Sequence, residues 1–223
     1  MTPFYDRVEA GRLLAEALRS SLPDDAKYRD AIALALPRGG VPLGLEVARA
    51  LHIPLDLMLV RKLGVPGHRE LAMGAITSGA RVVNENVIAN CGISDETLDA
   101  VASEERLELE RRARRYRGDR PWPDLEDRCV ILVDDGIATG ATMEAAARAV
   151  RLQQPASIVL AVPVAPPDAL ARFTPLVDKI VCLATPESFW AIGAWYRDFS
   201  QLTDDEVIAM MCEADMLAGR KDG

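Results

Sequence analysis

The 223-residue chain has 49% hydrophobic and 27% charged residues, which is typical of a folded globular domain and excludes a disordered chain. Its net charge of -8 argues against a nucleic-acid surface, because binding to a phosphate backbone needs a basic face. No apolar stretch approaches the ~20 residues that span a bilayer, and the polar start of the chain does not resemble a signal peptide. We therefore expect a cytoplasmic protein that binds neither membrane nor nucleic acid.

Apolar periodicity predicts helices and strands that alternate along the chain. In chain order we predict a helix over 5–20, a strand over 31–36, a helix over 43–51, strands over 55–60, 72–77 and 80–84, a helix over 93–117, a strand over 129–133, a helix over 143–153, a strand over 157–164, a helix over 167–176, a strand over 179–183 and a helix after Thr203. Continuous apolar strands between helices are typical of an α/β fold with a mostly parallel central sheet and helices on both faces. A single domain over residues 1–223 is the simplest division.

The long helix over 93–117 is acidic in its first half and basic in its last, an order that complements the helix dipole. We predict a solvated helix there, with nucleic-acid binding by its arginines as the alternative.

The four cysteines, Cys91, Cys129, Cys182 and Cys212, form no CxxC pair, and only two histidines are present. This spacing indicates neither a zinc site nor a disulfide framework, so we expect buried free thiols.

An acidic pair, Asp134 and Asp135, follows the predicted strand over 129–133 and precedes a loop of small residues. Ligands bind beyond the carboxyl ends of strands in such sheets. The loop comprises Gly136, Ile137, Ala138, Thr139, Gly140, Ala141 and Thr142. Its backbone amides, its threonine hydroxyls and the start of the next helix form a predicted phosphate cradle. Two carboxylates beside a phosphate need a partner such as a ribose diol or Mg²⁺, so the pattern predicts a phosphorylated sugar as ligand.

The same loop excludes two other phosphate-binding patterns. Ala141 stands where the lysine of GxxxxGK[ST] would precede Thr142, and the loop contains no GxGxxG. A turn between strand and helix that binds no ligand is the remaining alternative.

The stretch from Val130 to Met143 resembles the signature that binds 5-phosphoribosyl-1-pyrophosphate (PRPP) in type I phosphoribosyltransferases. The wider chain, from Phe4 through Arg38 to Asp198, resembles a group of predicted phosphoribosyltransferases. The resemblance implies that Asp134 and Asp135 hold the ribose hydroxyls and Mg²⁺, and that the loop from Gly136 to Thr142 holds the 5′-phosphate. It also implies the fold of that family, with a small hood formed by residues of about 186–223, and a homodimer.

Basic residues after two earlier strands resemble the pyrophosphate-binding positions of that family. Arg38, Gly39 and Gly40 follow the strand over 31–36, and we predict a strained cis peptide between Arg38 and Gly39. Arg61 and Lys62 follow Val60, where we predict the end of a strand. For the first set the alternative is a turn between strand and helix with an arginine at the strand end, and for the second it is a solvated strand terminus.

Two further segments are candidates to close over the site. The turn-rich segment from Gly64 to Glu70 is similar to the mobile loop of relatives, with His68, Arg69 and Glu70 as candidates for proton transfer or pyrophosphate contact. The aromatics Phe189 and Trp190 lie in a segment that also contains Trp195 and Tyr196, in a chain that is only 5% aromatic. We predict that Phe189 and Trp190 stack on a flat base, with packing of a small subdomain as the alternative.

The resemblance implies transfer of the phosphoribosyl group from PRPP to a small nitrogenous acceptor, with Arg38, Lys62, Glu70, Asp134 and Asp135 as catalytic candidates. Ala138 and Ala141 depart from the hypoxanthine-guanine enzymes, which have an aspartate and a lysine there, so a 6-oxopurine acceptor is not expected. A PRPP- or nucleotide-sensing regulator with the same fold is the first alternative. A phosphate-ester hydrolase that uses the acidic pair is the second.

Overall fold

The structure, a computed structural model, describes residues 4–21 and 30–219, apart from the side chains of Arg69 and Glu70. The helices are α1 (Arg7–Ser21), α2 (Gly40–Leu51), α3 (Glu85–Cys91), α4 (Asp95–Arg117), α5 (Ala141–Arg151), α6 (Pro167–Ala171) and α7 (Asp204–Gly219). The strands are β1 (Ile32–Ala35), β2 (Leu55–Leu57), β3 (Val60–Val65), β4 (His68–Thr77), β5 (Arg81–Val83), β6 (Cys129–Val133), β7 (Ser157–Val164) and β8 (Lys179–Ala184).

Five of the strands form the predicted parallel sheet, in the order β2-β1-β6-β7-β8. Successive residues of β1 and β6 face opposite sides and belong to two different hydrophobic cores. One core packs the sheet against α1, α2, α4 and α7, and the other packs it against α5 and α6. Since β6 lies in the centre and is buried along its whole length, the residues that follow it emerge at the middle of the carboxyl edge.

A separate antiparallel sheet, β3-β4-β5, corrects the prediction of one strand over 55–60. β2 ends at Leu57, and β3 begins at Val60 in the second sheet. Arg61 and Lys62 therefore lie inside β3 and not at the end of a central strand. The segment from Gly64 to Glu70 belongs to the β3–β4 hairpin, with a turn at Pro66 and Gly67, where the positive φ of 79° suits glycine.

The helices differ from prediction mainly at their ends. α6 stops at Ala171 instead of about Leu176, and α3 has no counterpart in the predicted elements. The predicted start of α7 is confirmed, because the Thr203 hydroxyl accepts from the Glu206 amide while the Glu206 carboxylate accepts from the Thr203 amide. α4 is less solvated than predicted, since Leu98, Ala102, Leu109, Tyr116 and Arg117 are buried.

An ion pair between Arg117 and Asp56 joins the carboxyl end of α4 to β2. The Arg117 Nε lies 2.8 Å from the Asp56 carboxylate, and its Nη2 donates to the Leu57 carbonyl over 3.0 Å. Both side chains are almost completely buried, so α4 is held against the edge of the central sheet.

The terminal segments meet beside the carboxyl edge of the sheet. Phe4 forms a β-bridge with Tyr196, and α7 packs on α2 and α4. A hood formed by residues of about 186–223 stays a prediction, and its last four residues lie outside the described part of the chain.

Within the described residues, no helix is both long and apolar enough to cross a membrane. No cysteine forms a disulfide, but only Cys129 is buried, so the expectation of buried thiols is wrong for the exposed Cys91 and Cys212.

Candidate active site

The acidic pair lies at the carboxyl end of β6, in the middle of the sheet. The Asp134 side chain accepts a hydrogen bond of 2.9 Å from the Asp135 amide, and Asp134 is half-buried. Asp135 is 7% exposed, and its carboxylate lies 2.9 Å from Nε of Arg7. The two carboxylates are thus positioned by the strand that precedes them and by a residue of α1.

Two residues from the ends of the chain hold Asp135 in place. The Tyr196 hydroxyl donates to the Asp135 carbonyl over 2.6 Å. The Arg7 guanidinium also donates to the Ser200 carbonyl over 2.8 Å and lies 3.8 Å from the centre of the Phe199 ring. Sequence reasoning did not assign Arg7 to the site. It named Tyr196 only as one aromatic among several, because neither residue lies near the motif in sequence.

Burial raises the pKa of both carboxyl groups. For Asp134 the pKa is raised well above its usual range, first by burial and then by the neighbouring charge of Asp135. For Asp135 burial also raises the pKa, while the positive charge of Arg7 opposes that rise. Burial and the nearby aspartates raise the pKa of Tyr196, so its hydroxyl stays protonated and acts as a donor. The ionised carboxylates are therefore unfavourable in this site, and a ligand with hydroxyl donors or a cation would stabilise them.

The turn after β1 packs directly against the acidic pair, which explains its two glycines. A Cβ atom on Gly39 would lie 2.0 Å from a carboxylate oxygen of Asp135. A Cβ atom on Gly40 would lie 2.6 Å from the Val133 carbonyl oxygen and 2.9 Å from Cα of Asp134. The cis peptide of this turn joins Pro37 to Arg38, so the predicted position between Arg38 and Gly39 is wrong by one bond.

The loop after the acidic pair leads into α5. Ile137 is buried and its amide donates to the Val164 carbonyl over 2.9 Å, which fixes the start of the loop. Gly140 has a φ of 77° and precedes the first residue of α5. Thr139 and Thr142 are exposed, as are Ala138 and Ala141, so the loop presents hydroxyls and the start of a helix to solvent.

The three predicted pyrophosphate-binding cations line three different cavities. Arg38 lies 3.3 Å from Asp204 and donates to the Leu202 carbonyl, both near the start of α7. Arg61 lies 2.5 Å from Glu105 of α4. Lys62 is exposed and lines a cavity of about 550 Å³ together with Thr142, at the start of α5.

The remaining candidates lie farther out. Trp190 is 93% exposed and Phe189 is half-buried. Ile192 lies two residues beyond Trp190, and a Cβ atom on Gly136 would come within 2.8 Å of its side chain. This segment therefore packs on the loop that follows the acidic pair. His68 is exposed at the start of β4, whereas the side chains of Arg69 and Glu70 lie outside the described residues.

The acidic pair also supplies oxygen ligands of the kind that Mg²⁺ prefers. Among the described residues, no three His, Cys, Asp or Glu side chains converge on one point. A Mg²⁺ ion that arrives with a phosphorylated substrate needs only one or two carboxylates from the protein, together with water and substrate oxygens. The donor set of Asp134 and Asp135 fits an ion of that kind.

Comparison with known proteins identifies the family of this chain. The family described as phosphoribosyl transferase domain matches residues 5–193. The chain belongs to that family. Proteins from two Mycobacterium tuberculosis strains, H37Rv and CDC 1551, each named putative phosphoribosyl transferase, are 47% identical over 215 residues, which is 96% of this chain. The chain spans about half the length of these relatives, 47% of each.

A solved structure is similar over the whole fold. The crystal structure of TT1426 from Thermus thermophilus has a TM-score of 0.82 and 43% sequence identity, and the match covers 96% of this chain and 99% of that one. The family indicated by the resemblance and the parallel sheet flanked by helices are both confirmed.

Proposed function

We propose that this protein is a phosphoribosyltransferase that transfers the 5-phosphoribosyl group of PRPP to a nitrogenous acceptor and releases pyrophosphate. The observation that supports it best is the acidic pair at the end of β6, with Gly39 and Gly40 packed on one side and the phosphate loop on the other. This arrangement offers carboxylates to a ribose diol and amides and hydroxyls to its phosphate. Membership of the family supports a transferase, and the acceptor is left unassigned.

In the proposed reaction, the bond from ribose C1 to the pyrophosphate oxygen breaks as the bond from C1 to the acceptor nitrogen forms. The acceptor nitrogen gives up a proton. Asp134 and Asp135 would accept hydrogen bonds from the ribose hydroxyls and stabilise the positive charge that develops on the ring. Gly136 to Thr142 would fix the 5′-phosphate, so that C1 points at the acceptor.

The departing group is the part of PRPP that the cations would bind. Mg²⁺ would neutralise part of the negative charge of the pyrophosphate. Arg38, Arg61 and Lys62 are the proposed protein contacts, but Arg38 and Arg61 have to exchange their present carboxylate partners for the ligand. Phe189 and Trp190 remain proposed contacts of the acceptor base, and Glu70 a proposed proton carrier.

A non-catalytic PRPP-sensing regulator is the second candidate. The observation in its favour is that Arg38 and Arg61 form ion pairs with Asp204 and Glu105. A protein that only senses PRPP can leave those pairs intact, because it does not have to stabilise a departing pyrophosphate. A cytoplasmic location and a homodimer are part of both proposals, and light scattering at the 24.3 kDa of one chain would contradict the dimer.

Titration calorimetry with PRPP and Mg²⁺ tests both candidates. We expect the Asp134→Asn/Asp135→Asn variant to bind PRPP at least ~100-fold more weakly than the wild type, because several charge-assisted hydrogen bonds are lost. The Asp95→Asn/Asp168→Asn variant removes two exposed carboxylates from other helices and serves as the matched control. Pyrophosphate release with one member of a panel of bases would identify the acceptor.

The other outcomes separate the hypotheses. PRPP binding with no release for any base favours the regulator. The absence of PRPP binding by the wild type, or equal weakening by both double variants, contradicts the proposed site.

A further inference from the structure

The basic half of α4 faces a cavity that the assignments above leave unexplained. A cavity of about 320 Å³ is lined by Arg111, Arg112, Arg115 and Tyr116 of α4, by Pro37 and Arg38 of the turn after β1, and by Asp204 of α7. Four cationic side chains thus face one carboxylate. Arg115 lies on the same side of the helix as Arg111 and Arg112, because these precede it by four and three residues.

The carboxylates around the cavity do not match the arginines in number. Glu108 is shared by Arg111 and Arg112, at 2.7 and 3.0 Å. Asp204 is shared by Arg38 and Arg115, at 3.3 and 3.1 Å. Since each guanidinium has five N–H donors, one shared carboxylate leaves donors on both partners that can bind an anion.

Arg112 connects this cavity to the phosphate loop. It also lines a second, smaller cavity, together with Pro37, Arg61 and Thr142. An anion held by the α4 arginines would therefore lie next to the turn after β1. Arg112 would lie between this anion and the smaller cavity, which Thr142 also lines.

We propose that Arg38, Arg111, Arg112 and Arg115 form an anion site for a group of two or more linked phosphates. The planar fork of the guanidinium matches phosphate oxygens, and four such groups on two elements suit several phosphates better than one. The inference rests on the proposed function only through Arg38, since binding of a free polyphosphate needs neither the acidic pair nor an acceptor. The occupant is either the pyrophosphate group of PRPP or a separate molecule with linked phosphates.

Calorimetric titration with sodium pyrophosphate and sodium tripolyphosphate tests the site directly. We expect Arg111→Gln/Arg115→Gln to bind pyrophosphate about tenfold more weakly or worse, because two charge-assisted contacts are removed. The matched control is Arg106→Gln/Arg114→Gln, which removes the same charge from α4 at exposed residues that do not line the cavity. We expect that control to stay within about twofold of the wild type.

The results of this titration that would overturn the anion site differ from those that would overturn the proposed transferase function. Equal weakening by both arginine pairs, no weakening by either, or no pyrophosphate binding by the wild type overturns the anion site. Asp134→Asn/Asp135→Asn should retain pyrophosphate binding while it loses PRPP. If the wild type binds pyrophosphate but not PRPP, the transferase proposal fails and the anion site stands.

A second titration, of pyrophosphate into protein saturated with PRPP, identifies the occupant. Exclusion of pyrophosphate, together with weaker PRPP binding by Arg111→Gln/Arg115→Gln, assigns the site to the pyrophosphate group of PRPP. Binding of pyrophosphate beside PRPP assigns the site to a separate phosphorylated molecule. Urea unfolding of both arginine variants checks that the exposed substitutions leave the fold intact.

Discussion

The two halves of the candidate site are built in different ways. The half around the acidic pair is buried, grows directly out of the central strand β6, and is held by Arg7 and Tyr196. The half that contains Arg38 and Arg61 lies at the periphery, and its cations are paired with carboxylates of α7 and α4. We infer that the sugar-binding half is organised before the ligand arrives, whereas the pyrophosphate-binding half has to exchange partners.

This difference suits the two parts of PRPP. A ribose phosphate has a fixed shape, and preformed contacts lower the entropic cost of binding it. In the proposed reaction the pyrophosphate departs after transfer, so cations with alternative partners in the protein can release it. Substitutions in the buried half should therefore alter the fold and the site together, while those in the peripheral half should alter anion affinity alone.

Gly40→Ala should have the largest effect, because the added methyl group meets backbone atoms that cannot move aside. Its Cβ would lie 2.6 Å from the Val133 carbonyl oxygen at the end of β6. We expect the free energy of unfolding to fall by about 2–3 kcal/mol, as for other overpacked sites, and PRPP affinity to fall with it. Urea unfolding and calorimetry measure the two effects.

Gly219→Ala is the matched control for that substitution. Gly219 ends α7, and no atom lies within 4 Å of an added Cβ. The change in unfolding free energy should stay within about 0.5 kcal/mol. Wild-type stability and PRPP affinity in Gly40→Ala would contradict the close packing of this turn against β6.

Asp134→Asn should stabilise the protein at neutral pH while it weakens PRPP binding. A carboxyl group whose pKa is raised by folding binds its proton more tightly in the folded state, so stability is lost as pH rises from the unfolded pKa toward the folded one. Asparagine cannot ionise but can still accept from the Asp135 amide. The gain should grow by about 1.4 kcal/mol for each pH unit between the unfolded and the folded pKa, and should vanish below about pH 4.

Urea unfolding from pH 4 to pH 8 gives the stability difference between Asp134→Asn and the wild type. A variant less stable than the wild type at pH 7 would show that the acidic pair is not a site of unfavourable buried charge.

Sequence reasoning succeeded where the determinants are local and failed where they are distant. The strand, acidic pair and loop from Cys129 to Thr142 follow one another in sequence, so their order alone predicts their geometry. Arg7 contacts Asp135 across 128 positions, and no periodicity signals such a pairing. The run from Leu55 to Val60, which is apolar except for Asp56, conceals the passage from β2 to β3, because Met58 and Leu59 are buried between the strands.

The same reasoning explains the errors in the peripheral half. Arg61 and Lys62 were placed at the end of a central strand because the break before Val60 has no glycine or proline to mark it. The predicted exposure is confirmed for the α4 arginines that line the cavity beside Arg38, but their charge, which complements the helix dipole, does not reveal that cavity. Only the position of α4 beside the turn after β1 brings Arg112 and Arg115 near Arg38.

Asp204→Asn should have the smallest effect on stability and a specific effect on anion binding. Asp204 pairs with Arg38 and Arg115 in partly exposed contacts, which contribute little to stability. Without this carboxylate, pyrophosphate affinity should rise about three- to tenfold at low salt and less at high salt.

Asp205→Asn is the matched control, because Asp205 is also in the first turn of α7 but its side chain is 92% exposed and lies 3.8 Å from Arg115. A similar gain in both variants would reflect net charge alone, whereas a gain confined to Asp204→Asn would show that its ion pairs hold the peripheral half away from the ligand.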